Sequence, residues 1–120
     1  MDKPNHRKHP RVDLFFDAKY VSNQRALVHA NLLNLSVGGI ALLSDRQLPR
    51  GRGVEVGFDL HDNEGKIVKI RTECLIRHSK RSKARNCWES GLEFTGLSDK
   101  DLVVVHQFVE RELGNQEAAD

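Results

Sequence analysis

The feature that most constrains this 120-residue chain is a change of period near its end. Up to Phe94, apolar side chains recur every second residue. Val12, Leu14, Phe16, Ala18 and Tyr20 alternate with polar neighbours, and so do Val54, Val56, Phe58 and Leu60. That spacing puts the apolar set on one face of a strand. Further extended runs are expected over 26–35, 39–43, 67–78 and 87–94, separated by 36–39, 48–51, 62–65 and a basic turn after His78. From Ser98 the period lengthens: Leu102, Val105, Val109 and Leu113 fall at helical spacing with Phe108 beside them. Ser98 and Asp101 form the N-terminal cap and Gly114 the expected stop. The β-branched run 103–105 lowers helix propensity, but the caps and the period outweigh it. About six short strands followed by one helix point to an all-β fold, a small closed or nearly closed antiparallel barrel with a C-terminal helix packed on it.

The expected organisation is a single domain: a flexible basic arm over 1–11, a barrel over 12–97, a helix over 98–114 and a frayed tail over 115–120. The longest stretch without a formal charge, 26–44, holds His29, two asparagines, two serines and two glycines, too polar for a membrane span. The start of the chain is basic with no apolar run behind it, so the cytoplasm is the expected compartment. Cys74 and Cys87 are too far apart for a zinc knuckle or a redox pair, and read as core thiols.

The net charge of +2 hides an asymmetry. Residues 1–85 carry 17 basic and 9 acidic side chains, and residues 86–120 carry 2 and 8. One basic cluster is Lys3, Arg7, Lys8 and Arg11; the other is Arg77, Lys80, Arg81, Lys83 and Arg85. An anionic partner follows, although a basic loop also serves simply to solvate a hairpin.

No constellation suited to catalysis is present: there is neither a nucleophile elbow nor an HExxH pair, and the HxxH of His6 and His9 sits among cations that repel a metal. Two other features remain. Arg7 and Arg11 lie four apart just before the first strand, with Pro10 holding the chain extended. About 13 Å of extended backbone then separates two guanidinium groups, each able to pair with phosphate oxygens or a guanine edge in two-point fashion. The second feature is the turn Asn34-Leu35-Ser36-Val37-Gly38-Gly39, with an amide, a hydroxyl and two glycines that can take positive φ or admit a base closely. Alone, the first reads as a solvated tail and the second as an Asx-type turn.

Together, RxxxR followed by NxSxxG resembles the signature of the PilZ family, with Arg7 and Arg11 on the arginine pair and Asn34, Ser36 and Gly39 on the second motif. The strand Gly91-Leu92-Glu93-Phe94 and the Leu97-Ser98 helix entry are also similar to that family, so the likeness covers nearly the whole chain. The resemblance implies a six-stranded antiparallel PilZ-type barrel with a C-terminal helix that binds the bacterial second messenger cyclic di-GMP. It implies a non-enzymatic adaptor with no metal and no further cofactor, whose arginine arm closes over the ligand and passes the signal to an unidentified effector protein. The candidate binding residues are Arg7, Arg11, Asn34, Ser36 and Gly39, extended to Lys8, Gly38 and Trp88. Trp88 has two readings: a core residue, or a ring turned outward by a bulge at Gly91 to stack on guanine. The alternatives are a nucleic-acid-binding barrel, disfavoured by only seven aromatics, five of them Phe at core-facing positions, and a ligand-independent interaction module.

Overall fold

A computed structural model describes residues 9–118. Six strands, β1 (Val12–Val21), β2 (Leu27–Leu35), β3 (Gly39–Ser44), β4 (Gly53–His61), β5 (Ile67–Ser82) and β6 (Cys87–Phe94), precede one helix, α1 (Asp99–Ala118). Every neighbouring pair is antiparallel, and the order β1-β2-β3-β6-β5-β4 closes into a barrel through pairing of Ala18–Tyr20 with the 56–58 stretch of β4. The expected six-stranded antiparallel barrel with a C-terminal helix is therefore the observed fold.

Alternation places Val12, Leu32, Leu35, Leu42, Val56, Leu60, Ile70, Cys74 and Ile76 inside the barrel, all at or below 2% exposure. The few buried polar groups are satisfied locally: the Ser90 hydroxyl donates to Ser79 Oγ at 2.8 Å and that of Ser44 to the Arg46 carbonyl at 2.8 Å. Helix α1 inserts Val105, Phe108 and Val109 into the same core, with Phe108 meeting Phe16 edge-to-face at 6.0 Å. Ser98 Oγ accepts from the Asp101 amide at 3.1 Å, as the cap pattern implied, and Asp99 and Asp101 complement the positive end of the helix dipole. No helix among the described residues is long and apolar enough to cross a membrane.

Four local expectations are corrected. The helix does not stop at 114: Gly114 is helical, with open space where a Cβ would lie, and Gln116 Nε2 donates to the Asp13 carbonyl at 3.3 Å, holding the last turn on β1. Leu102 does not belong to the buried stripe and is 37% exposed. The basic segment after His78 is strand rather than turn as far as Ser82, because its backbone continues to pair with β6; only 83–86 turns, with Asn86 at φ +55°. Phe15 faces outward at 61% exposure, with the Arg85 guanidinium 5.9 Å from its ring.

Candidate functional site

Three irregularities fall at one level of the barrel, between Asp13 and Phe16 of β1, Leu32 and Asn34 of β2, and Ile76 and His78 of β5. Their effect on side-chain direction is specific. Leu32 is buried, and strict alternation would carry Asn34 into the core with it. Leu33 is instead an extra residue relative to β3, so Asn34 pairs with Ala41 on the outer face while Leu35 returns inward. The same device operates in β5. Ile76 is buried, Arg77 is the extra residue, and His78 pairs with Gly91 on the outer face while Ser79 turns in to meet Ser90. The row Asn34, Ala41, Gly91, His78 thus runs across four strands on the outside of the barrel, with two small residues at its centre.

The 36–39 turn closes one end of this platform. Ser36 is buried, and its hydroxyl oxygen accepts from the amides of Gly38 at 3.1 Å and Gly39 at 3.2 Å. The Ser36 amide donates to the Gly39 carbonyl at 2.9 Å, and the Phe94 amide donates to the Gly38 carbonyl at 3.0 Å, tying the turn to β6. Neither Gly38 nor Gly39 has positive φ; the left-handed glycines are Gly51 and Gly65. The glycines here are required by close approach. A Cβ on Gly39 would collide with the Leu92 carbonyl oxygen, and one on Gly38 would lie 2.7 Å from the His9 ring.

The result is an outward-facing cleft of about 540 Å³, a size suited to a small organic ligand. His9, Arg11, Asn34, Ser36, Gly38 and Gly39 line it from one side, and Arg77, His78, Glu89, Gly91 and Glu93 from the other. The structure therefore brings Arg11, Asn34, Ser36, Gly38 and Gly39 together; Arg7 and Lys8 lie outside the described residues. Trp88 is not brought in. The irregularity at that level is in β5, so β6 keeps its alternation and Trp88 shares the inward parity of Ser90 and Leu92. Trp88 pairs with Ser44, five residues and about 17 Å along β3 from Gly39, where it packs 5.9 Å from the Arg81 guanidinium. Sequence reasoning missed His9, His78, Ala41 and Gly91, and saw Arg77 only as part of a basic cluster. Only His78 carried a usable signal, as a polar residue at core parity beyond Ile76.

Electrostatically the cleft is nearly balanced among the described residues. Arg77 pairs with Glu93 at 3.3 Å in an exposed contact of small energetic weight, and Arg11 and Glu89 are the other two charged side chains in its lining. A larger hollow of about 750 Å³ lies over Gly57, where Arg71 pairs with Glu55 at 2.6 Å and Lys69 with Asp59 at 3.6 Å. No cluster of three His, Cys, Asp or Glu that could hold a metal occurs among the described residues.

The family model described as PilZ domain matches residues 5–111. Among solved structures, the fold is similar to the inhibitor of motility MotI/DgrA from Bacillus subtilis, at 20% identity and a TM-score of 0.84, over 97% of this chain and 55% of that one. It is also similar to the MrkH–c-di-GMP complex from K. pneumonia, at 12% identity and a TM-score of 0.75, over 97% and 56% of the two chains. A third similar structure is the PilZ domain of YcgR from Escherichia coli with c-di-GMP, at 12% identity and a TM-score of 0.70, over 96% and 97%. The chain spans about half the length of MotI and MrkH, and at these identities the likeness is one of fold. No curated protein matches it.

Proposed function

The chain belongs to the PilZ domain family, and from that premise we propose that it is a non-enzymatic receptor for cyclic di-GMP. The observation that carries the reading is the convergence of Arg11, Asn34, Ser36 and Gly39 on one cleft, although they come from two separate stretches of sequence. Two of the similar structures hold c-di-GMP, which fits the same reading.

In this proposal Arg7 and Arg11 engage the phosphates, with Lys8 adding charge. The Asn34 amide and the backbone exposed at Gly38 and Gly39 meet a guanine, and Ser36 holds the turn that presents them. Arginine suits the phosphate role because its planar donors grip two oxygens at once and stay charged at any working pH. Arg77, in an exposed and weak contact with Glu93, adds to the counter-charge that the arginine pair supplies. The ligand then orders the 1–11 segment over the cleft, and the composite surface so formed is what an effector protein reads.

The test is calorimetric titration of Arg7→Ala and Arg11→Ala with cyclic di-GMP. Each arginine makes two charge-assisted hydrogen bonds of about 1.5 to 3 kcal/mol apiece, so each variant loses about a hundredfold or more in affinity while melting as the parent does. Near-parental affinity in either variant removes that arginine from the site. Amide exchange across 5–11 slows at saturation if ordering transmits the signal; equal exchange in the free and saturated protein contradicts that step.

A further inference from the structure

We propose that His78 is the base-stacking residue of the cleft, offering its imidazole as the aromatic surface on which a purine of the bound nucleotide lies. The inference rests on the nucleotide-receptor reading above. It starts from the cost of placing a histidine here at all. Ile76 is 2% exposed, and unbroken alternation would bury His78 beside it; the extra residue Arg77 turns His78 outward and gives its inward place to Ser79. A bulge that re-aims one side chain next to a cleft is a device for presenting that side chain.

The ring is also pinned. Gly91 stands directly across from His78, and a Cβ built there would overlap the ring at Nε2, with Cε1 2.9 Å and Cδ2 3.0 Å away. The imidazole thus occupies the space that any other residue at 91 would fill, and it lies on the platform whose neighbouring member is Ala41. Among the described residues no Phe, Tyr or Trp lines the cleft; the aromatic rings there are His78 and His9, and of these only His78 is held on a paired strand. A purine lying over Ala41 is therefore brought against the His78 ring where it covers Gly91. Stacking on an aromatic ring is tolerant of base identity, so His78 supplies affinity for purines while hydrogen bonds elsewhere choose among them.

The experiment has two arms. In the first, cyclic di-GMP is titrated into the parent, His78→Ala and His78→Phe by calorimetry, with melting temperatures recorded for all three. Loss of the ring weakens binding about 5- to 150-fold, and Phe restores affinity because a flat aromatic surface is what the role needs. In the second, the ring-proton resonances of His78 in the parent protein are followed during titration. They move upfield on stacking, while those of His29, paired with Asp17 on another outer face, stay in place. An Ala variant that binds like the parent, a Phe variant as weak as Ala, or unmoved His78 resonances each overturn the inference and leave the receptor reading standing. If the parent fails to bind cyclic di-GMP, the receptor reading fails by itself, and the resonance titration repeated with GMP decides the role of His78: an upfield shift upholds it and none overturns it.

Discussion

A single methyl group separates two classes of glycine in this protein. At Gly39 an added Cβ meets the Leu92 carbonyl, part of the backbone that pairs β3 with β6, so neither partner yields without disturbing the ladder. Gly39→Ala is expected to destabilise the fold by about 1 to 3 kcal/mol, read as a lower urea midpoint at unchanged slope. At Gly114 nothing lies near the added methyl, and Gly114→Ala in the same assay should stabilise by about 0.5 to 1 kcal/mol through helix propensity. The reverse ordering would contradict the close-packed account of the 36–39 turn. Cys74 provides a second residue-scale test. Burial in the barrel, reinforced by the Glu73 carboxylate, pushes its thiol up to about 12. The unfolded chain releases that proton near pH 9 whereas the folded chain retains it, so the unfolded state binds fewer protons and stability falls as pH rises from about 9 towards about 12. Chemical denaturation across that range should show a shallower decline in Cys74→Val than in the parent; parallel curves would mean that the thiol is not shielded.

At the scale of elements, two hairpin turns share one construction with different parts. In the β4–β5 turn, Asp62 Oδ1 accepts from the amides of Glu64 and Lys66, both at 2.9 Å, and Gly65 takes the left-handed position at φ +83°. In the β1–β2 turn, Ser22 Oγ accepts from Gln24 at 3.2 Å and Ala26 at 3.3 Å, but the left-handed position, φ +63°, is held by Arg25. Arg25→Gly relieves a strain of about 1 to 2 kcal/mol against some added freedom in the unfolded chain, for a net stabilisation of about 0.5 to 1 kcal/mol. Differential scanning calorimetry should show a rise of a few degrees; a lower melting temperature would contradict the strain. These turns and their strands were legible because alternation and turn chemistry are local. The bulges were not. An extra residue announces itself only as a parity conflict, and Asn34 and His78 look like core polar residues until the partner strand is known. For the same reason, the polar continuation of β5 from Ser79 to Ser82 reads as turn in sequence, and only its pairing with β6 makes it strand. The Gly114 stop failed because glycine continues a helix when tertiary contacts, here Gln116 with Asp13, hold the last turn. Within the site, the motif residues were recognised from their spacing, whereas Trp88 was judged by a bulge at Gly91 that lies on the opposite strand.

For the whole molecule, the division of charge acquires a spatial meaning. The acidic excess of residues 86–120 is concentrated in α1, whose sequence holds Asp99, Asp101, Glu110, Glu112 and Glu117 against a single Lys and a single Arg. That helix packs on β1 and β4, whereas the cleft lies across β2, β3, β6 and β5. Arg11, immediately before β1, lines the cleft. On the receptor reading, an anion meets Arg11 on the cleft side of the barrel and the acidic helix on the other. Non-specific attraction of this kind is strongly sensitive to salt, while a shaped cleft with base contacts is less so. The decisive measurement is therefore calorimetric titration of the parent protein with cyclic di-GMP at about 0.1 and 0.5 M salt, run beside cyclic di-AMP and GTP. Saturable binding of cyclic di-GMP, at least about tenfold tighter than either competitor and persisting at the higher salt, is the expected result. Absence of saturable binding, or equal affinity for all three nucleotides that vanishes at high salt, would contradict the assignment of this cleft as a cyclic di-GMP receptor.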